Sequence, residues 1–164
     1  MLDALRIAVA QSERLHLLVV GSGELMAQAR AVVAQYNLPV TFAGFLNQSE
    51  IPAAYVAADC LVLPSDYGET WGLVVNEAMA CGRPAIVSDR VGCAADLVIQ
   101  NVTGEVFPFG DTAALAHTLV ELAANPQRLY AMGEQARLRV TQHYGVQQSV
   151  DGTLAAVQYV LRAP

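Results

Sequence analysis

Apolar residues at Leu2, Leu5, Ile7, Ala8 and Val9 share one helix face and predict a helix over residues 2–13. They lead into LHLLVVG, a continuous apolar burst closed by glycine, which reads as a short buried strand. GSGELMAQARAVVAQYN then predicts a helix ending near Tyr36, with Asn37 and Pro39 as its stop, and VTFAG predicts a second strand. QSEIPAAYVAAD reads as a short helix, CLVLPS as a third strand, WGLVVNEAMACG as a helix closed by Gly82, and RPAIVSD as a fourth strand. AADLVIQ follows as a short helix and GEVFPFGD as a brief extended piece. The stretch from Asp111 to Gly145 predicts two helices broken at Asn125 and Pro126, and a last helix occupies 146–164, its pattern strongest from Val146 to Leu161.

The strands are continuous apolar runs rather than alternating ones, and a helical segment separates each from the next. Strands buried on both faces and joined by helical crossovers form parallel sheets. The expected fold class is therefore α/β, a doubly wound, Rossmann-like parallel sheet. The chain opens on a helix where such a unit opens on a strand. The expectation is one domain over residues 1–164 that lacks its first strand and is a piece of a longer protein.

Composition narrows the function. With 54% hydrophobic and 15% charged residues, the chain has the apolar content of a covered sheet rather than of a disordered segment. Its nine cationic residues are all arginine and are outnumbered by fifteen acids, for a net charge of −6, which disfavours nucleic acid as a partner. Small anions stay compatible, because a helix N-terminus holds them locally. Cys60, Cys81 and Cys93 are odd in number and form no CxxC pair, so neither a disulfide framework nor a zinc site is indicated, and a cytoplasmic location is expected. No run of about 18 apolar residues marks a membrane span, and Asp3 stands where a signal peptide carries basic residues.

In open α/β sheets ligands bind beyond the carboxyl ends of the strands, so the loops there are the candidates. VVGSGE places Gly21 and Gly23 between strand and helix, but Met26 occupies the position of the third glycine in a dinucleotide fingerprint. A tight turn also accounts for these glycines. AGFLNQSE ends a strand at Gly44 and offers Asn47 or Ser49 as a helix cap. In PSDYGETWGLVVNEAMACG a helix starting near Thr70 to Gly72 leaves the amides of Thr70, Trp71, Gly72 and Leu73 without helical acceptors, which makes an anion site suited to phosphate. Glu69 and Glu77 flank those amides. On one helix they would stand about 12 Å apart, beyond the roughly 5–9.5 Å of a glycosidase acid/base pair. As acceptors they suit hydroxyl groups, and hydroxyls on either side of a phosphate describe a nucleotide sugar. Spacing alone is equally met by a solvated loop charge and an exposed helix charge.

The run ETWGLVVNEAMACGRP resembles the signature of retaining GT-B-fold glycosyltransferases, the group 1 family that includes glycogen and sucrose synthases. VGSGE at 20–24, FAGF at 42–45, TGEVFP at 103–108 and DTAALA echo the same family in order and spacing. The resemblance implies a C-terminal, donor-binding half of a two-domain enzyme that moves a hexose from a UDP- or GDP-sugar with its anomeric configuration kept, without a divalent metal or other cofactor. It assigns Glu69 a catalytic role at the sugar hydroxyls, Glu77 the ribose, Thr70 to Leu73 the diphosphate or sugar, and Gly44, Phe45 and Leu46 the base. The acceptor domain, and any peripheral contact with the inner membrane face, would lie before Met1.

The chain departs from the family in having no lysine for the diphosphate. SDRVGCAAD keeps one glycine and places Asp96 in the acidic position, and HYGVQ replaces the aromatic start of the final helix. Two other readings share the architecture. A sugar-nucleotide 2-epimerase would need His16, His117 or His143 in the cleft, yet none follows a predicted strand. A non-catalytic nucleotide-sugar-binding module would keep the fold without the turnover.

Overall fold

The computed structural model describes residues 1–162; positions 163 and 164 of the expected last helix lie outside the described residues. Elements follow in the order α1 (Leu2–Val9), β1 (Leu17–Val20), α2 (Met26–Tyr36), β2 (Val40–Gly44), α3 (Ile51–Ala57), β3 (Leu61–Leu63) and α4 (Leu73–Ala80). Then come β4 (Ala85–Ser88), α5 (Ala94–Leu97), β5 (Gly104–Phe107), α6 (Thr112–Ala124), α7 (Pro126–His143) and α8 (Val146–Arg162). Every ladder is parallel. The fold is α/β and Rossmann-like, as the pattern of runs and crossovers predicts.

β4 shows why a continuous apolar run was needed. Ala85 and Val87 point to one face, where they pack with Val75 and Met79 of α4, Leu97 of α5, and Ala136 and Val140 of α7. Ile86 points to the other, against Ala4 and Ala8 of α1 and Leu115, Leu119 and Leu122 of α6. All four residues of β4 are buried. Each fully buried aliphatic side chain of this size contributes about 1.5–3 kcal/mol, so these two layers dominate the stability.

The strands form two separate ladders. β3, β4 and β5 make one, with Leu61 opposite Ala85 and Ile86 opposite Glu105; β1 and β2 make the other, with Leu17 opposite Val40 and a register slip where Val20 meets Gly44. Among the described residues β1 bonds only to β2 and β3 only to β4 on its sheet edges. The single continuous sheet that the strand pattern suggests is thus interrupted between β1 and β3.

Several boundaries differ from the sequence reading for local reasons. α1 stops at Val9 rather than continuing to Glu13, because the amides of Gln11 and Ser12 both turn back to the Ala8 carbonyl. α2 starts at Met26, five residues after Gly21, whose φ of 115° lies outside helical geometry. The extended piece after α5 is a true strand, β5. The predicted break at Asn125 and Pro126 holds: the Asn125 side chain accepts from the Arg128 amide at 3.0 Å and Pro126 opens α7. Glu105, 5% exposed in β5, accepts from both Arg128 and Gln100. Burial raises its pKa, with the Arg128 charge opposing.

No helix among the described residues is long and apolar enough to cross a membrane.

Candidate functional site

α4 begins where its preceding loop cannot continue as helix. Gly72 caps it at φ 98°, a left-handed conformation that L side chains rarely adopt, and a Cβ there would stand 3.1 Å from Val91 Cγ1 and 3.2 Å from Leu63 Cδ2. The dihedral favours glycine, and a side chain would also crowd Val91 and Leu63. The helix starts at Leu73, slightly later than the sequence suggests, and the Val75 amide closes a tight first turn on the Gly72 carbonyl at 2.8 Å. The amides of Thr70, Trp71, Gly72, Leu73 and Val74 find no acceptor among the described residues. They are the unsatisfied donors of a helix start, carrying the positive end of its dipole.

The loop that presents them is held from β4 and the segment after it. Ser88, buried at the end of β4, donates its hydroxyl to the Ser65 carbonyl. Beyond it, the Gly92 amide donates to the Glu69 carbonyl at 3.4 Å and the Cys93 amide to the Trp71 carbonyl at 2.9 Å. Contact is so close that a Cβ on Gly92 would lie 1.9 Å from the Thr70 carbonyl oxygen. On the loop itself Asp66 accepts from the Gly68 amide at 2.8 Å, while its carbonyl accepts from Glu69 at 3.2 Å. Trp71 is pinned through its indole N–H, which donates to Asn76 Oδ1 at 2.8 Å.

Glu69 is half-buried in this loop and Glu77 is exposed one turn beyond Leu73 on α4. Glu77 is oriented by Tyr55 of α3, whose hydroxyl donates to Glu77 Oε2 at 2.8 Å. Burial first, and the Glu77 hydrogen bond and charge after it, push the Tyr55 pKa well up, so the phenol stays a donor. Burial likewise pushes the Cys93 thiol up to about 11, with the nearby Glu69 charge adding to the effect.

The glycines of the other loops come together at the ends of β1 and β2. Gly21 and Gly44 both have positive φ, and the Gly21 amide donates to the Gly44 carbonyl at 2.7 Å. A Cβ at Gly21, Gly23 or Gly44 would meet nothing within 4 Å, so the space above these turns is open. Phe45, next in line, is 76% exposed, while Leu46 is half-buried. Neither Asn47 nor Ser49 is the cap of α3, whose N-cap residue is Glu50 without a side-chain cap bond; Asn47 instead closes the turn before it, its side chain accepting from the Glu50 amide at 3.2 Å while the Glu50 carboxylate accepts from the Asn47 amide at 3.0 Å. Among the described residues no hydrogen bond joins the Gly21–Gly44 group to the α4 group.

Several neighbours of the site were not singled out in the sequence. Tyr55 lies 22 positions from Glu77, and only tertiary packing pairs them. Arg90, just past β4, lays its guanidinium over the Tyr67 ring at 4.3 Å and has Asp89 at 3.5 Å. The rule that function follows strand ends could have flagged it. Among the histidines, His16 bonds to Thr41 Oγ1 at 2.9 Å and His117 lies 3.7 Å from Glu121. His143 shares a hollow of about 300 Å3 with Trp71, Leu73 and Asn76, which places one of the three beside the candidate site. Among the described residues no group of three or more His, Cys, Asp or Glu residues is placed to hold a metal ion.

Comparison with known proteins places this geometry in a family. Residues 1–139 match the model of "Glycosyl transferases group 1". The chain is 34% identical over 142 residues to the phosphatidyl-myo-inositol mannosyltransferase of Mycobacterium leprae, covering 83% of this chain and 37% of that protein. The chain therefore spans well under half the length of this relative. Among solved structures, sucrose-phosphate synthase from Thermosynechococcus elongatus superposes with a TM-score of 0.82 at 33% identity, over 98% of this chain and 42% of that one. Anabaena HepE, solved in complex with UDP-glucose, gives 0.78 at 25% identity, over 93% and 44%. A family match along most of the sequence, reaching across both the glycine turns and the α4 helix start, leaves one conclusion: the chain belongs to the glycosyl transferases group 1 family.

Proposed function

We propose that this chain is the donor-binding part of a retaining glycosyltransferase, which moves a hexose from a nucleoside diphosphate sugar to an acceptor hydroxyl. The observation that carries the reading is the row of unpaired amides from Thr70 to Val74 at the start of α4, flanked by Glu69 and by a Glu77 held in place by Tyr55. Backbone amides at a helix N-terminus suit the diphosphate, where charge builds as the anomeric carbon–oxygen bond breaks and the acceptor oxygen forms the new one. Being fixed by Gly92 and Cys93, they need not reorganise at that moment. Glu69 accepts hydrogen bonds from sugar hydroxyls, Glu77 from the ribose, and the exposed ring of Phe45 with the open turn at Gly44 receives the base.

The relatives support the nucleotide as ligand, since HepE is solved with UDP-glucose. The acceptor site belongs to polypeptide beyond this chain, ahead of Met1 in the full protein. Alone, the chain binds donor weakly and turns it over poorly or not at all. Calorimetric titration of UDP and of GDP into the chain tests the reading. Saturable binding of one of them, lost in Glu77→Ala, is expected; binding of neither, or binding unchanged by that substitution, would remove the site from α4.

A further inference from the structure

Of the nine arginines, Arg90 alone follows a strand at its carboxyl end; the others lie on helices or ahead of strands. The chain has no lysine, so Arg90 is the one permanent cation in the loops that carry the candidate site. Its side chain pairs with Asp89, Nε to Oδ1 at 3.5 Å, and rests over the Tyr67 ring with the guanidinium carbon 4.3 Å from the centroid. Tyr67 stands two residues before Glu69. We propose that Arg90 is the positioning residue of Glu69: stacked on Tyr67, it holds the loop that carries Glu69 and so governs how well the site grips the sugar half of a donor. This rests on the reading of Glu69 as the group that meets the sugar hydroxyls.

The loop from Ser65 to Glu69 is held at its two ends and free of the sheet between them. At one end the Ser88 hydroxyl donates to the Ser65 carbonyl. At the other the Gly92 amide donates to the Glu69 carbonyl at 3.4 Å, a long hydrogen bond. In the middle the loop bonds to itself: the Asp66 carboxylate accepts from the Gly68 amide at 2.8 Å, and the Asp66 carbonyl from the Glu69 amide at 3.2 Å. Among the described residues no hydrogen bond joins Asp66, Tyr67 or Gly68 to another segment. What ties the middle of the loop to the sheet is the Tyr67 ring, otherwise 72% exposed, beneath Arg90.

Arg90 is anchored from two strands. Its amide donates to Ser88 Oγ at 3.2 Å, the same hydroxyl that holds Ser65. Asp89 Oδ1, the partner of its Nε, also accepts from the Phe109 amide at 2.9 Å, just past β5. The tie therefore runs from β5 through the end of β4 to the loop after β3. A planar guanidinium suits this post, because its edge meets Asp89 while its face lies on the ring; an ammonium has no such face. Direct binding of the diphosphate is the competing role for a cation here. Asp89 partly neutralises Arg90 and Tyr67 covers it, which favours positioning over phosphate contact. An exposed cation–π contact changes an equilibrium constant by about two- to fivefold. That is enough to tune the fit of a sugar without deciding the fold.

The test compares Arg90→Ala and Tyr67→Ala with the unaltered chain, first without ligand. Nitrogen-15 relaxation should show the backbone order parameters of Gly68, Glu69 and Thr70 falling from about 0.85 towards about 0.6 in both variants, with the β4 amides unmoved. Unchanged values at Gly68 to Thr70 overturn the proposal. Calorimetry then sets UDP against UDP-glucose and GDP against GDP-mannose. Each substitution should weaken the sugar nucleotide about two- to fivefold more than the bare nucleotide, and the double substitution should cost no more than either single one. Tyr67→Phe, which keeps the ring, should restore what Tyr67→Ala loses. Equal weakening of bare and sugar nucleotide would make Arg90 a phosphate ligand and overturn the proposal, as would an unaltered ratio or additive losses. Binding of neither nucleotide would defeat the donor reading itself, and the relaxation result, which needs no ligand, still decides whether Arg90 holds the loop.

Discussion

The hydroxyl of Tyr55 donates to Glu77 Oε2 at 2.8 Å, tying α3 to the helix that opens at the candidate site. Tyr55 is 8% exposed while Glu77 reaches solvent, so the bond orients the carboxylate more than it stabilises the fold. Tyr55→Phe should cost about 1 kcal/mol of stability and weaken UDP or GDP binding severalfold. Glu77→Ala should cost more binding and less stability. Chemical denaturation of both variants beside calorimetry checks the two orderings, and a Tyr55→Phe protein with unaltered nucleotide affinity would mean the bond is structural only.

Gly92 sets the position of the Glu69–Trp71 loop from behind. A methyl group 1.9 Å from the Thr70 carbonyl oxygen has no room, so Gly92→Ala must displace the loop or the segment after β4. The expected outcome is nucleotide affinity reduced at least about tenfold with near-native far-UV circular dichroism, since the β4 core lies below the contact. Wild-type affinity in Gly92→Ala would show that the ligand does not depend on this loop.

Alkaline pH should destabilise the protein through buried acids that fold in their neutral form. The Cys93 thiol, ordinarily near 9.0, is pushed up to about 11 and Tyr55 is raised as well, both mainly by burial. A raised folded-state value contributes stability that is fully present below the unfolded value and is lost as pH rises towards the folded one. Stability should therefore hold level up to about pH 8.5 and decline above pH 9, with Cys93→Ala making the early decline shallower and the Cys60 thiol, pushed up to about 12 by burial, sustaining the remainder. Urea midpoints across this range provide the measurement.

Much of the fold could be read from the chain because local and tertiary signals agree. The run PAIVS is apolar on both faces because helices cover both, and it became β4; Asn125 and Pro126 break two helices because one caps and the other cannot continue a turn. The helix start at Gly72 followed from spacing, and its neighbours did not. Tyr55, Gly92 and Cys93 are brought to the site by pairing of distant segments, which periodicity does not encode. The interruption between β1 and β3 was hidden for the same reason, since a strand's own residues do not say whether both its edges are filled. The helical pattern predicts α2 five residues too early because it extends into a turn in which Gly21 has a positive φ.

The amides from Thr70 to Val74 carry the functional reading, and nitrogen–proton correlation spectra of labelled chain titrated with UDP and with GDP report on each of them. The account predicts that one nucleotide shifts this row of amides together, with Gly44 and Phe45 following, and that inorganic phosphate at the same concentration shifts the row more weakly. Saturable shifts elsewhere in the chain, with the Thr70–Val74 resonances unmoved, would contradict it.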